Sequence, residues 1–143
     1  NPGETKPGLA YSYYEGKWEK IPAFAGLKSL TNGVIEKFEL PKQKKPDGFA
    51  VTYDGYIEIP ADGTYTFYTK SDDGSRLMIG DTVVVNNDGL HGDIEQSAVI
   101  GLMAGKYAIS VHYFEAWGGE ALSVSWSGPG IAKEIIPGKL LTH

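Results

Sequence analysis

Apolar and polar residues alternate with a period of two along several segments of the chain. In residues 64–69, Tyr65 and Phe67 alternate with threonines and a tyrosine, and the same alternation runs through residues 107–113 and 122–127. Successive side chains of a β-strand point to opposite faces of a sheet, so each row suits a strand with one buried and one wet face. The pattern therefore predicts strands that pair in antiparallel fashion.

Glycine and proline interrupt nearly every window that is long enough to test for a helical period. Only residues 23–30 are expected to form a short turn of helix. Many short strands separated by turn residues predict an all-β fold, an antiparallel β-sandwich of jelly-roll-like type with little or no helix. Residues 1–8 are rich in proline and glycine and are expected to be a linker from an upstream domain, whereas residues 9–143 are expected to form one domain.

Composition excludes several classes of function. The formal net charge is -5, which argues against nucleic-acid binding, and no apolar run is long enough to span a membrane. The chain has no cysteine, so disulfides, thiol nucleophiles and thiolate metal sites are absent. Because the chain begins at Asn1 without a methionine, we expect its targeting signal to lie elsewhere and the mature protein to be extracellular, periplasmic or at the cell surface.

The SDDG sequence at residues 71–74 is the most informative motif. Asp73-Gly74 alone is an ordinary turn signal, because aspartate bonds its own backbone and glycine tolerates unusual backbone angles. Adjacent carboxylates such as Asp72 and Asp73 repel each other unless a cation lies between them, and Ca²⁺ prefers six to eight oxygen ligands. Oxygen donors for such an ion are available on the predicted loops, namely Asp72, Asp73, Asn87, Asp88, Asp93 and Glu115.

A second candidate is the loop at residues 113–121, which carries Trp117 among glycines and glutamates. An exposed indole ring suits stacking against the apolar face of a sugar, but Trp117 folding back onto the sheet edge as core is an equally good interpretation. The sequence has none of the usual nucleophile, zinc-protease or phosphate-binding motifs. We therefore expect that the isolated domain is not an enzyme.

Four segments between residues 54 and 130 carry a resemblance to a known family, and the similarity extends over nearly all of residues 9–143. They read DGYIEIPADGTYTFYTKSDDGSRLMIG, VVVNNDGLHG, LMAGKYAISVHYFE and GGEALSVSWSGPG. The chain resembles the PA-fourteen family, β-sandwich modules named after the protective antigen of a bacterial toxin and found in bacterial glycosidases and yeast flocculins. The resemblance implies a sandwich whose end loops bind carbohydrate.

In the flocculin branch of that family, two adjacent aspartates joined by a cis peptide hold a Ca²⁺ that contacts the sugar. The matching positions are Asp72 and Asp73, and Glu115 takes the place of an asparagine that the partner loop lacks here. The resemblance thus implies a metal site at Asp72 and Asp73, which Glu115 could complete. The expected ligand site adds Trp117 and Asn87, which the residue chemistry above suggests.

The resemblance also implies the partners, a glycan or polysaccharide and the catalytic domain of a secreted or surface glycoside hydrolase upstream in the same chain. The alternative is a structural or protein-interaction module that packs on such a catalytic domain without binding a glycan.

Overall fold

β-Strands make up most of the chain. The structure, a computed structural model, describes residues 4–41, 47–116 and 121–143. The strands within these ranges are β1 (Leu9–Glu15), β2 (Thr31–Ile35), β3 (Phe49–Ile59), β4 (Gly63–Asp72), β5 (Ser75–Ile79), β6 (Thr82–Asn87), β7 (Ile94–Leu102), β8 (Gly105–Glu115), β9 (Ala121–Gly128), β10 (Ile131–Ile135) and β11 (Leu141–Thr142).

The described helical structure consists of two 3-10 turns, at Phe24–Gly26 and Gly138–Leu140. The first turn lies within residues 23–30, where the sequence predicts a short helical turn. Neither turn is long and apolar enough to cross a membrane.

The strands form two antiparallel sheets. The larger sheet has the order β2-β1-β3-β8-β5-β6, with β11 also paired to β3, and the smaller sheet has the order β10-β9-β4-β7. Apolar residues from both sheets form one central core, which is the arrangement of a sandwich. The predicted fold class, an antiparallel β-sandwich with little or no helix, is confirmed.

Aromatic side chains dominate the core, as the alternating rows predict. Tyr65, Phe67 and Trp126 from the smaller sheet are all fully buried. The rings of Tyr65 and Trp126 stack with their centroids 5.5 Å apart. The indole N–H of Trp126 donates a hydrogen bond to Oε2 of Glu134, 3.1 Å away, so the one polar atom of this ring is satisfied.

The start of the chain is tied to its end. The backbone N–H of Lys6 donates to the carbonyl of His143, the N–H of His143 donates back to Lys6, and the N–H of Gly8 donates to Leu141. Part of the segment expected as a linker therefore pairs with the last strand. That residues 1–8 connect to an upstream domain stays a prediction.

The connection between β1 and β2 crosses the outer face of the larger sheet. Ala50 and Phe114 are paired across β3 and β8, and both project away from the central core. Residues 16–24, here called the clamp segment, cover them, with Ile21 buried against Phe114 and Ala116 in a second small apolar cluster. Ala116 lies just past the end of β8, so this segment reaches one end of the sandwich.

The stacked pair in the core leads to a first prediction. Trp126→Ala should lower the free energy of unfolding by about 3–5 kcal/mol, because it removes a fully buried indole and leaves a cavity. Val99→Ala, on a strand of the same sheet but 65% exposed, should change it by about 0.5 kcal/mol or less. Urea unfolding followed by tryptophan fluorescence and circular dichroism measures both values, and equal losses in the two variants would contradict this core.

Candidate functional site

The paired aspartates lie where the chain passes from one sheet to the other. Asp72 ends β4 in the smaller sheet, Asp73 and Gly74 form the crossing, and Ser75 begins β5 in the larger sheet. The Asp72–Asp73 peptide bond is cis, as the family resemblance implies. Strand β8 ends at Glu115 at the same end of the sandwich, because Ser75 is paired with Tyr113 two residues earlier. This crossing brings carboxylates from both sheets together.

Asp72, Asp73 and Glu115 form the candidate metal site. One carboxylate oxygen of each residue lies within 4.8 Å of those of the other two. Oxygens on opposite sides of a Ca²⁺ are about 4.6–5.2 Å apart, since each Ca–O distance is about 2.3–2.6 Å. Glu115 is fully buried, Asp73 is 6% exposed and Asp72 is half-buried, so the group opens to solvent on the Asp72 side. Donor type and spacing fit a hard cation.

Asp73 is held in place by the backbone of two different loops. Its Oδ1 accepts a hydrogen bond from the N–H of His91 at 3.2 Å, and its Oδ2 accepts one from the N–H of Ala116 at 2.9 Å. The N–H of Asp73 itself donates to the carbonyl of Phe114. The two loops therefore fix the orientation of the Asp73 carboxylate through one backbone donor each.

Asp72 differs from Asp73 in being half-buried, and the pKa of its carboxyl is raised. Partial burial raises the pKa of the Asp72 carboxyl, and the negative charges of Asp73 and Asp93 raise it further, while His91 opposes the shift. The backbone carbonyl of Asp72 accepts a hydrogen bond from the hydroxyl of Tyr113. The site thus concentrates negative charge at its exposed side, which is the condition that a bound cation relieves.

The other predicted oxygen donors are engaged elsewhere. Asn87 is 3% exposed and its amide donates to the carbonyls of Thr69 and Ile94, so its side chain braces the strands from inside. Asp88 accepts the N–H of Ile21 at 2.7 Å, and Asp93 pairs with the ammonium of Lys70 at 3.5 Å. Trp117, the predicted sugar platform, lies outside the described residues.

A buried chain of hydroxyls beneath the aspartates is not anticipated by the sequence reasoning. The hydroxyl of Ser71 donates to the carbonyl of Asp73 at 2.9 Å and lies 2.6 Å from that of Ser75, which donates to Thr69 at 3.0 Å. Thr69 and Ser71 continue the inward row of Tyr65 and Phe67. The sequence does contain a sign of this chain of hydroxyls, because Thr69 and Ser71 are polar at positions where the alternation predicts apolar residues.

The two aspartates should respond in opposite ways to neutralisation in the absence of Ca²⁺. Asp73→Asn should cost about 1–3 kcal/mol, because the amide NH₂ of Asn would face one of the two backbone N–H donors. Asp72→Asn should raise the midpoint of thermal unfolding by about 1–4 °C at pH 7, because it relieves charge repulsion at a partly exposed position.

The pH dependence of this gain follows from the raised pKa of Asp72. As the pH falls, Asp72 is protonated at a higher pH in the folded wild-type protein than in the unfolded chain. Protonation removes the unfavourable charge from the folded state, so the stability advantage of Asp72→Asn shrinks as the pH falls. The advantage vanishes below about pH 3.9. Thermal unfolding in EDTA from pH 3 to 8 measures this, with Asp81→Asn in the distant β5–β6 turn as the charge control. Destabilisation by Asp72→Asn at pH 7 would contradict the described electrostatics.

The sequence and the fold of the chain are similar to those of known proteins. Residues 5–139 match the family model of the PA14 domain. The anti-sigma-I factor RsgI3 of Acetivibrio thermocellus is 34% identical over 96 residues, which are 66% of this chain and 15% of RsgI3. The solved structure of an anti-sigma factor domain-containing protein superposes with a TM-score of 0.82 at 27% identity, over 95% of this chain and 48% of that one.

A PA14 sugar-binding domain from an RTX adhesin has the same fold, with a TM-score of 0.80 at 18% identity over 96% of this chain and 98% of the adhesin domain. By contrast, the chain spans less than half the length of each of the two anti-sigma factor relatives. The family match covers nearly the whole chain, from before strand β1 into the second 3-10 turn. The chain therefore belongs to the PA14 domain family.

Proposed function

We propose that the chain is a non-catalytic carbohydrate-binding module, in which Asp72, Asp73 and Glu115 hold a Ca²⁺ beside the bound sugar. The observation that carries the proposal is the convergence of these three carboxylates within 4.8 Å at one end of the sandwich. Loops at the end of a rigid sandwich are where binding residues collect, because the sheets hold them in place without constraining their sequence. The similarity of the fold to that of a PA14 sugar-binding domain also supports carbohydrate binding.

The three carboxylates differ in what they offer. Glu115 and Asp73 offer carboxylate oxygens from the buried side of the site, whereas half-buried Asp72 lies at the solvent side. A bound Ca²⁺ supplies positive charge and, beyond three carboxylates, open coordination positions that hydroxyl oxygens of a sugar can fill. We assign Trp117 to stacking against the sugar ring, and we assign Asn87 to bracing the site from within rather than to direct sugar contact.

The larger protein that carries the module is part of the proposal. The family resemblance suggests a secreted or surface glycoside hydrolase, with the module binding the polysaccharide that the catalytic domain cleaves. The two relatives named as anti-sigma factors favour a second candidate, in which the module is the glycan-binding part of a regulatory protein. In both cases the module faces the outside of the cell, where polysaccharides are found.

Calcium should stabilise the folded module measurably. At a hundredfold excess over its dissociation constant, Ca²⁺ should add about 2.7 kcal/mol to the free energy of unfolding. Asp72→Ala should abolish this gain, whereas Asp81→Ala should retain it. Thermal unfolding in CaCl₂ and in EDTA measures the difference, and an unmutated domain that ignores Ca²⁺ would refute the metal part of the proposal.

Glycan binding should depend on the same residues. On a glycan array, the wild-type domain should bind at least one class of sugar in Ca²⁺ and lose that binding in EDTA, and calorimetry with the best glycan should show Asp72→Ala to be inactive. Glycan binding that persists in EDTA would support the carbohydrate-binding function but contradict a role for Ca²⁺ in it. If no glycan binds under either condition, the proposal fails, and the alternative of a module that packs against a protein partner would be tested next.

A further inference from the structure

A hydrogen bond joins the clamp segment to one of the two loops that hold Asp73. The backbone N–H of Ile21 donates to Oδ1 of Asp88 at 2.7 Å, and the two residues are 67 positions apart in the chain. The same oxygen accepts the N–H of Gly89 at 2.8 Å. One carboxylate oxygen of Asp88 therefore joins the clamp segment to the loop between β6 and β7.

That loop continues directly to the site. Two residues after Gly89, the N–H of His91 donates to Oδ1 of Asp73. The ring nitrogens of His91 lie 2.8 Å from the carbonyl oxygen of Asn87 and 2.7 Å from that of Gly92, which fixes the loop across its own ends. The position of the His91 N–H, and with it that of Asp73, follows the position of residues 87–92.

Close backbone packing leaves this loop little room toward the crossing. A Cβ on Gly74 would lie 2.8 Å from the nitrogen of Gly89 and 2.5 Å from Cε1 of Phe114. Gly74 has to be glycine because the loop and Phe114 both approach its backbone. Asp88 thus holds the loop from the outside, while Gly74 and Phe114 limit its movement inward.

The clamp segment also supports the second loop. The side chain of Ile21 is 7% exposed and belongs to the apolar cluster of Ala50, Phe114 and Ala116. The N–H of Ala116 donates to Oδ2 of Asp73 at 2.9 Å. Ile21 is therefore common to both supports of Asp73: its N–H binds the loop that carries His91, and its side chain packs with the residue that holds the other oxygen.

We propose that Asp88 is a positioning residue of the Asp72–Asp73–Glu115 site, which locks the clamp segment to the 87–92 loop and thereby fixes the Asp73 carboxylate for its ligand. The inference rests on the proposed function for the identity of the ligand, but the claim that Asp88 fixes the position of Asp73 does not depend on any ligand. Asp88 acts through hydrogen-bond geometry and not through its charge, since the carboxylates that converge at the described site are Asp72, Asp73 and Glu115.

Three variants separate geometry from charge. Asp88→Ala removes both hydrogen bonds, whereas Asp88→Asn keeps an oxygen acceptor and removes only the charge. Asp62→Ala is the matched control, because Oδ1 of Asp62 accepts the backbone N–H of Ala104 at 2.8 Å in the same manner. Asp62 precedes the ten-residue strand β4 that ends at Asp72, so it lies at the opposite end, about 30 Å away.

Two measurements are made on each variant. Amide hydrogen exchange of His91 and Ala116 by nuclear magnetic resonance, in EDTA, reports whether Asp73 is still held. Calorimetric titration with CaCl₂ alone reports the affinity. Asp88→Ala should speed exchange of the His91 amide and weaken Ca²⁺ binding, each by about tenfold, as expected for the loss of a hydrogen bond. Asp88→Asn and Asp62→Ala should stay within about threefold of wild type in both measurements.

The outcomes distinguish the inference from the proposed function. Wild-type exchange at His91 in Asp88→Ala would overturn the inference, and so would an Asp88→Asn variant that loses affinity as fully as Asp88→Ala, since charge would then be the cause. If the wild-type protein binds no Ca²⁺, the proposed metal fails, and the exchange rates at His91 and Ala116 alone decide whether Asp88 positions Asp73.

Discussion

The end of the sandwich is organised around the Asp73 carboxylate, whose two oxygens accept N–H groups from loops of different origin. The donor to one oxygen is His91, in the loop that leads to the smaller sheet, and the donor to the other is Ala116, just past strand β8 of the larger sheet. A charge-assisted hydrogen bond of this kind is about twice as strong as a neutral one. Asp73 therefore joins the two sheets at the point where the chain crosses between them.

The remaining features of this end follow from that anchor. Asp72 and Glu115 lie beside the anchored Asp73, and the partial burial of Asp72, together with the negative charges of Asp73 and Asp93, raises the pKa of the Asp72 carboxyl. A sandwich gains nothing in stability from such a cluster, because each further carboxylate repels the others. Clusters of this kind lower the stability of the fold and are retained where they bind a ligand. The functional proposal therefore rests on the carboxylates, whereas the stability of the fold rests on the aromatic core.

Much of the fold is predictable from the sequence, because local alternation determines which side chains face inward. The rows that contain Tyr65, Phe67 and Trp126 are buried as that pattern requires, and the turn residues lie between strands. The convergence of Asp72, Asp73 and Glu115 is anticipated through the family resemblance, since no spacing rule states that a β4 terminus meets a β8 terminus. Trp117 as the sugar platform stays a prediction.

The features that the sequence does not predict depend on contacts between distant segments. Nothing local to Ile21 indicates that its N–H meets Asp88, because that contact depends on how the clamp segment crosses the outer face of the larger sheet. Asn87 looks like a ligand donor by residue type, yet its register on β6 turns its side chain into the interior. Residue type indicates which chemistry is available, and the tertiary fold determines where it is used.

The central claim is that three carboxylates at the end of the sandwich form one cation site. The most direct measurement is an anomalous difference map from crystals of the domain grown with Ca²⁺ or Tb³⁺. The account predicts one peak about 2.3–2.6 Å from carboxylate oxygens of Asp72, Asp73 and Glu115. A map with no peak at these residues, or with a peak only at other carboxylates, would contradict it.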